Sequence, residues 1–185
     1  FFGEPNVGKA TFARYLGNFL EFGKFEEPKT ILNEFMTIAP DFKKSDGSIG
    51  IEAVKGIKRF LYAKPVRSKK RLVVIEEAGD ITIQAQNSIL KIAEEPPSAG
   101  LIILIVNNPE SLLVTLQSRF QKIYFKRGST AMIKDYCVKE MKLDIERAAQ
   151  IAALSFGRIG RARTIATDKG WSLIDKEEGR IFVPD

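Results

Sequence analysis

The sequence predicts an α/β fold: a parallel sheet held between helical layers, followed by a small helical domain. Three observations carry that expectation. A glycine loop, Gly3-Glu4-Pro5-Asn6-Val7-Gly8-Lys9, joins the apolar pair Phe1-Phe2 to an amphipathic stretch, the strand–loop–helix setting of a phosphate-binding turn. Two runs, Leu72-Val73-Val74-Ile75 and residues 101–106, are apolar without alternation, as strands buried on both faces are. Stretches of helical periodicity separate these runs, and that order sets neighbouring strands parallel.

Taken in order, Phe1-Phe2 reads as the end of a buried strand whose beginning lies ahead of the sequence. Residues 11–22 read as a helix with Phe12, Leu16, Phe19 and Leu20 on its inner face. Thr37-Ile38-Ala39-Pro40 is a short strand. Residues 51–62 form a helix with an apolar stripe of Ile51, Val54, Ile57, Phe60 and Leu61, and Pro65 stops it. The 72–75 run is the central strand. A helix over 83–93, with Ile89 and Leu90 inward, ends at Pro96-Pro97. The 101–106 strand, a turn and short helix over 109–118, and a last strand, Ile123-Tyr124-Phe125, complete a core over 1–127. Ser129 and Asp144 are cap residues for helices reaching about Glu140 and Ser155, Gly157 ends the second, and Arg161 to Thr167 begins a third. These make a helical lid over 128–167. Residues 168–185 read as a linker or the start of a C-terminal collar.

Composition bounds the function. At 185 residues the chain is one medium domain, or one with a small satellite, and 44% apolar residues supply its core. The longest apolar run is strand-sized, so no membrane partner is expected. Cys137 is the sole cysteine and histidine is absent, which excludes an intrachain disulfide and a Cys/His zinc site within one chain. With no secretory signal, a reducing, cytoplasmic setting is expected. The net charge of +6 permits an acidic partner. Basic residues gather at Lys43-Lys44, Lys55, Lys58-Arg59, Lys64, Arg67 and Lys69-Lys70-Arg71. Aromatic residues are too few among them to stack bases, so contact with a nucleic-acid backbone, through Lys55, Lys58 and Arg59, is the form to expect.

The chemistry lies in the loop. Glycines at positions 3 and 8 let backbone N–H groups curl around phosphates, and Lys9 reaches the β- and γ-phosphates. The next residue of such a loop is a Ser or Thr that binds Mg²⁺; here it is Ala10. Thr11 comes one residue late, about 100° around the helix, although it remains a candidate nucleotide contact. A second acidic motif belongs at the end of a buried strand, and Val73-Val74-Ile75-Glu76-Glu77 supplies it about 65 residues on. Glu76 is the metal-facing candidate and Glu77 the water-activating one. ATP and Mg²⁺ are thus the expected cofactors, with the metal contact impaired.

Residues 86–97, Gln86-Asn87-Ser88-Ile89-Leu90-Lys91-Ile92-Ala93-Glu94-Glu95-Pro96-Pro97, resemble the N-A-L-L-K-x-L-E-E-P-P stretch of bacterial DNA polymerase III clamp-loader subunits, the gamma/tau and delta-prime AAA+ proteins. Asn107-Asn108-Pro109 and Thr115-Leu116-Gln117-Ser118-Arg119-Phe120 resemble their sensor-1 segment and S-R-C motif, and Ile49-Gly50-Ile51 fits as well. The resemblance spans about residues 1–167. It implies an AAA+ core with a lid, Asn107 at the sensor-1 position near the γ-phosphate, and Arg119 as an arginine finger offered to a neighbouring subunit. It implies other clamp-loader subunits, the sliding clamp and primed DNA as partners.

The departures from that pattern are specific. Ala10 replaces the metal hydroxyl, Glu76 an aspartate and Phe120 a cysteine. Gly160 stands where active gamma subunits carry a sensor-2 arginine, flanked by Arg158 and Arg161. The four-cysteine zinc insert of the family is replaced by a cysteine-free stretch over 25–35. Together these favour the delta-prime branch: a subunit with weak or absent ATP hydrolysis that serves its neighbour. Two alternatives stay open, an active gamma/tau-type ATPase and a DNA-binding assembly module without nucleotide chemistry.

Overall fold

In the computed structural model the described residues are 1–40 and 47–167; the basic pair Lys43-Lys44 and the linker or collar expected over 168–185 lie outside them. The described chain forms two compact units. The first comprises Phe1–Glu4 and Lys9–Phe125; the second takes Pro5–Gly8 together with the described residues after Phe125.

The first unit is organised by β2 (Arg71–Ile75). It pairs in parallel with β1 (Phe35–Ile38) on one side and β3 (Gly100–Leu104) on the other, in the order β1-β2-β3. Leu72, Val73, Val74 and Ile75 are buried, as a strand covered on both faces requires. Successive side chains point to opposite faces. Val73 and Ile75 pack with Val54, Ile57 and Leu61 of α2 (Ile51–Tyr62) and Ile89 of α3 (Ile83–Glu94). Leu72 and Val74 pack with Ala13, Leu16 and Leu20 of α1 (Lys9–Phe22). The result is the expected three-layer parallel α/β core.

At its far edge the sheet continues only as single parallel bridges, from Phe2 to Val106 and from Phe2 to Tyr124. The strand ends expected at Phe1-Phe2 and Ile123–Phe125 are thus one rung each. Beyond β3 a 3₁₀ turn, Pro109–Ser111, leads to the short α4 (Val114–Gln117).

Some details differ from the sequence reading. Helix α1 begins at Lys9, two residues earlier than expected, directly after Gly8 at φ 103°. Phe12 and Phe19 are exposed, and α1 instead buries Ala13 and Gly17, with Leu16 and Leu20 half-buried. The small residues let the helix approach the sheet, and Phe12 turns sideways to meet the rings of Phe1, Phe25 and Phe125 edge-on. Ile51, at the solvent end of its helix, is also exposed.

One polar tie runs through this apolar core. Glu34, just before β1, is 3% exposed and forms a 2.8 Å ion pair with Arg71 at the start of β2. The other carboxylate oxygen accepts from the backbone N–H groups of Val66 and Arg67. Arg71 also donates to the carbonyls of Phe60 and Lys64 and lies over the Phe60 ring. The pair therefore fastens two strands and the 63–70 connection, with the second carboxylate oxygen and both terminal guanidinium nitrogens hydrogen-bonded to the backbone, the kind of support a buried ion pair needs.

The second unit packs α5 (Thr130–Lys139), α6 (Ile145–Leu154) and α7 (Ile159–Thr167) around Ile133, Cys137, Ala148, Ile151, Ala152 and Ala162. Ser129 and Asp144 cap as expected, accepting from the N–H groups of Met132 and Arg147. Helix α6 ends earlier than Gly157, at Leu154 with Ser155 as its C-cap, and Phe156 (φ 50°) takes the left-handed position after it; Gly157 follows at φ 76°, and its carbonyl accepts from Gly128 N–H. No described helix is long and apolar enough to cross a membrane.

Glu34→Ala leaves the largely buried Arg71 guanidinium without its counter-charge. It is expected to lower the unfolding free energy by about 3–5 kcal/mol, read as a lower urea midpoint at unchanged slope.

Candidate nucleotide site

The site is assembled at the carboxyl ends of the strands, where parallel α/β sheets place their ligand chemistry. The loop backbone takes positive φ at Gly3 (140°), Asn6 (65°) and Gly8 (103°). At Gly3 a side chain is excluded outright: a Cβ would stand 2.3 Å from the Phe125 carbonyl oxygen. The first glycine of the motif is thus required by the strand beside it as well as by phosphate approach.

Lys9 opens α1 and is 6% exposed. Its ammonium donates to the carbonyls of Gly3 (2.6 Å) and Glu4 (2.8 Å) and to Oδ1 of Asn107 (3.0 Å). All three N–H donors of the ammonium are thereby engaged. Asn107 follows β3, and its Nδ2 donates to Oε2 of Glu77 at 3.4 Å. Glu77 follows β2 in a left-handed conformation, φ 46° and ψ 50°. The turn is costly for a non-glycine residue, and it carries the side chain from the strand end toward Asn107. Three residues distant in sequence, Lys9, Glu77 and Asn107, thus form one hydrogen-bonded chain.

Burial pushes the Lys9 ammonium below its ordinary pKa, and the Glu77 carboxylate opposes that shift. Desolvation is the larger effect. A carboxylate held through one asparagine therefore only moderates the cost of a buried ammonium.

The other predicted residues lie outside this chain of contacts. Glu76 is half-buried, and its backbone N–H donates to the Ile38 carbonyl at 2.8 Å. Thr11 is half-buried on the first turn of α1 and takes no part in the network. Arg119 follows α4, where Nη2 lies 3.6 Å from Oε1 of Glu94 with both side chains about half-exposed. Lys55, Lys58 and Arg59 are exposed on α2; Lys55 pairs with Glu52 at 2.7 Å and Lys58 lies over the Tyr62 ring.

Within the second unit, Gly160 N–H donates to the Asn6 carbonyl at 2.8 Å, and a Cβ on Gly160 would meet Asn6 backbone and side-chain atoms at 3.1–3.2 Å. Gly160 is therefore matched to a close backbone approach. Arg161 lies over the Phe156 ring, 5.3 Å from its centroid.

Three contributors were not identified from the sequence. Gln86, 4% exposed, donates to the Ile81 carbonyl and accepts from Leu113 N–H, so it fixes the segment leading to Arg119. Its signal was a polar residue on an otherwise apolar helix face. Glu94, the partner of Arg119, gave no signal beyond its motif. Neither did the carbonyl of Glu4, since backbone roles leave no mark on residue type.

The parallel sheet order and the glycine loop give the chain the fold of an AAA+ phosphate-loop core. Solved structures share the fold: the DNA polymerase III gamma subunit-related protein of Thermotoga maritima superposes with a TM-score of 0.57 at 23% identity, covering 83% of this chain and 52% of that one. The Thermotoga maritima RuvB Holliday junction branch migration motor superposes with a TM-score of 0.62 at 13% identity, covering 94% and 53%.

The family model described as DNA polymerase III, delta subunit, matches residues 1–129, and the chain belongs to that family. It is 26% identical over 138 residues to DNA polymerase III subunit delta' of Escherichia coli, covering 75% of this chain and 41% of that protein. It is 27% identical over 157 residues to subunit gamma/tau of Mycobacterium tuberculosis, covering 76% and 27%. The chain thus spans less than half the length of these relatives.

Replacing Glu77 by Gln removes the charge that supports the Lys9 ammonium, so the Lys9 pKa is expected to fall further, followed by NMR of its side-chain ε-carbon. The unfolded lysine titrates near 10.5, so between the lowered native pKa and 10.5 the unfolded state binds more protons and stability rises with pH. In Glu77→Gln that rise begins at a lower pH.

Proposed function

We propose that the chain is a clamp-loader subunit of the delta-prime type, acting in DNA replication with little ATP turnover of its own. In this reading it presents Arg119 to the nucleotide of a neighbouring subunit, within an assembly that loads a sliding clamp onto primed DNA. The observation that carries the reading is the state of the loop lysine. Its donors are taken up by Gly3, Glu4 and Asn107, and Ala10 stands where a metal-binding hydroxyl is needed.

The residues fit a nucleotide in part. The positive-φ glycines and Lys9 suit phosphate oxygens. The metal is served less well, because Ala10 offers no oxygen. Magnesium, when bound in such loops, neutralises charge on the β- and γ-phosphates. What this chain's own residues do is clearer: Lys9 must exchange two carbonyls for phosphate oxygens, and Asn107 holds Glu77 oriented. Arg119, half-exposed and held only by a long contact to Glu94, is supported as the group free to engage another chain. An exposed ion pair of that kind is worth about 0–1 kcal/mol, so releasing it costs little.

A second reading, an active gamma/tau-type ATPase, is favoured by one observation: Lys9, Asn107 and Glu77 are already joined at 3.0 and 3.4 Å. Turnover separates the two. On the delta-prime reading Lys9→Ala leaves ATP hydrolysis by the reconstituted clamp loader nearly unchanged, whereas Arg119→Ala lowers turnover at the neighbouring site by about 10³-fold or more. Hydrolysis by the isolated chain that Lys9→Ala abolishes would establish the second reading instead.

A further inference from the structure

The basic connection between α2 and β2 takes no part in the site described above. Residues 63–70 lead into β2 at the amino ends of the strands, on the rim opposite Lys9, Glu77 and Asn107. Lys64, Arg67, Lys69 and Lys70 are exposed there. The sequence has no acidic residue between Glu52 and Glu76. Among the described residues, no carboxylate pairs with any of these four cations. They are a large share of the chain's net charge of +6, gathered on one short segment.

The segment is also fixed in shape. Oε1 of the buried Glu34 accepts from the N–H groups of Val66 (2.5 Å) and Arg67 (3.2 Å). Nη2 of Arg71 donates to the Lys64 carbonyl at 3.1 Å. The Ser68 hydroxyl accepts from Lys70 N–H (3.1 Å) and donates to the Lys70 carbonyl, and Lys70 Nζ donates to the Ser98 carbonyl (2.6 Å). These bonds set the backbone that carries the cations before any partner arrives, which lowers the ordering cost of binding.

Two apolar side chains accompany the charges. Ile31 is 90% exposed and Val66 82%, the highest values among the large apolar residues described. Val66 stands between Lys64 and Arg67. Ile31 lies three residues before Glu34, in a segment whose Asn33 and Glu34 N–H groups donate to the Glu21 carboxylate at 2.9 and 3.1 Å. A nucleic-acid backbone is met by cations and polar donors, and has no use for such side chains. An acidic polypeptide that also carries apolar residues matches both features, with apolar contact inside and charge around it. We propose that the 63–70 connection, together with Ile31, is a docking surface for an acidic, amphipathic polypeptide segment. Its carboxylates face Lys64, Arg67, Lys69 and Lys70, and its apolar residues cover Val66 and Ile31. The surface lies at the other end of the strands from Lys9, so it is independent of nucleotide chemistry and of the role given to Arg119.

The test uses the 185-residue chain and a short fluorescein-labelled peptide of mixed Glu and Leu, read by fluorescence anisotropy at low salt. Lys64→Ser, Arg67→Ser, Lys69→Ser and Lys70→Ser together are expected to weaken binding about tenfold or more. Val66→Ser alone is expected to weaken it about threefold or more. A control with Lys24→Ser, Lys29→Ser, Lys126→Ser and Lys142→Ser has the same net charge and is expected to bind within about twofold of the unaltered chain. Equal weakening in the two charge variants, or none in the first, would overturn the proposal. So would tighter binding of a thymidine oligonucleotide of equal charge with no effect of Val66→Ser, which would give the surface to nucleic acid. NMR of the unaltered chain tests the surface without any variant. The peptide is expected to shift the amide signals of Ile31, Val66 and Arg67, and shifts confined to other residues refute the assignment.

Discussion

Burial of β2 on both faces is the constraint from which the rest of the core follows. A strand with no solvent-facing side must be covered by helices above and below, and its backbone groups must find partners in neighbouring strands. Leu72 and Val74 demand α1, Val73 and Ile75 demand α2 and α3, and β1 and β3 take up the backbone. Once the apolar run ends at Ile75, the chain leaves the sheet at Glu76-Glu77, on the same rim where β3 delivers Asn107 and where the loop delivers Lys9. The candidate site is thus a by-product of parallel topology, which sends every strand's polar end to one side.

That logic explains how much was legible in the sequence. The central strand, the α2 and α3 helices and the caps at Ser129 and Asp144 were readable because each depends on local pattern: an apolar run, a stripe at helical spacing, a short polar side chain before a helix. The Lys9–Asn107–Glu77 grouping was readable as separate motifs, each placed at a strand or loop end. What escaped depends on contacts distant in sequence. Phe12 and Phe19 satisfy helical periodicity, yet α1 lies against the sheet on Ala13 and Gly17, since small residues allow the closer approach. Glu34 reads as a surface acid until Arg71 is brought to it. Gln86 and the Glu4 carbonyl act through backbone partners that residue type does not encode.

The departures from the family pattern at positions 10 and 160 can each be set beside a local contact. Ala10 removes a metal oxygen, and Lys9 settles onto its own loop carbonyls. Gly160 is the residue that a 2.8 Å backbone bond to Asn6 admits, and a long side chain there would have to displace Asn6 atoms about 3.1 Å away. On the proposed delta-prime reading, these features would make the loop poorly suited to turnover.

The retention of Lys9 then has an explanation that does not depend on catalysis. A buried ammonium costs stability unless its donors are met, and here they are met by two loop carbonyls and one asparagine. The lysine is the internal brace of the loop, joining its first turn to the end of β3. A loop that hydrolyses nucleotide needs this lysine for phosphate; a loop that does not still needs it, or a residue able to bond the same three oxygens, to hold the turn at Gly3 against the sheet.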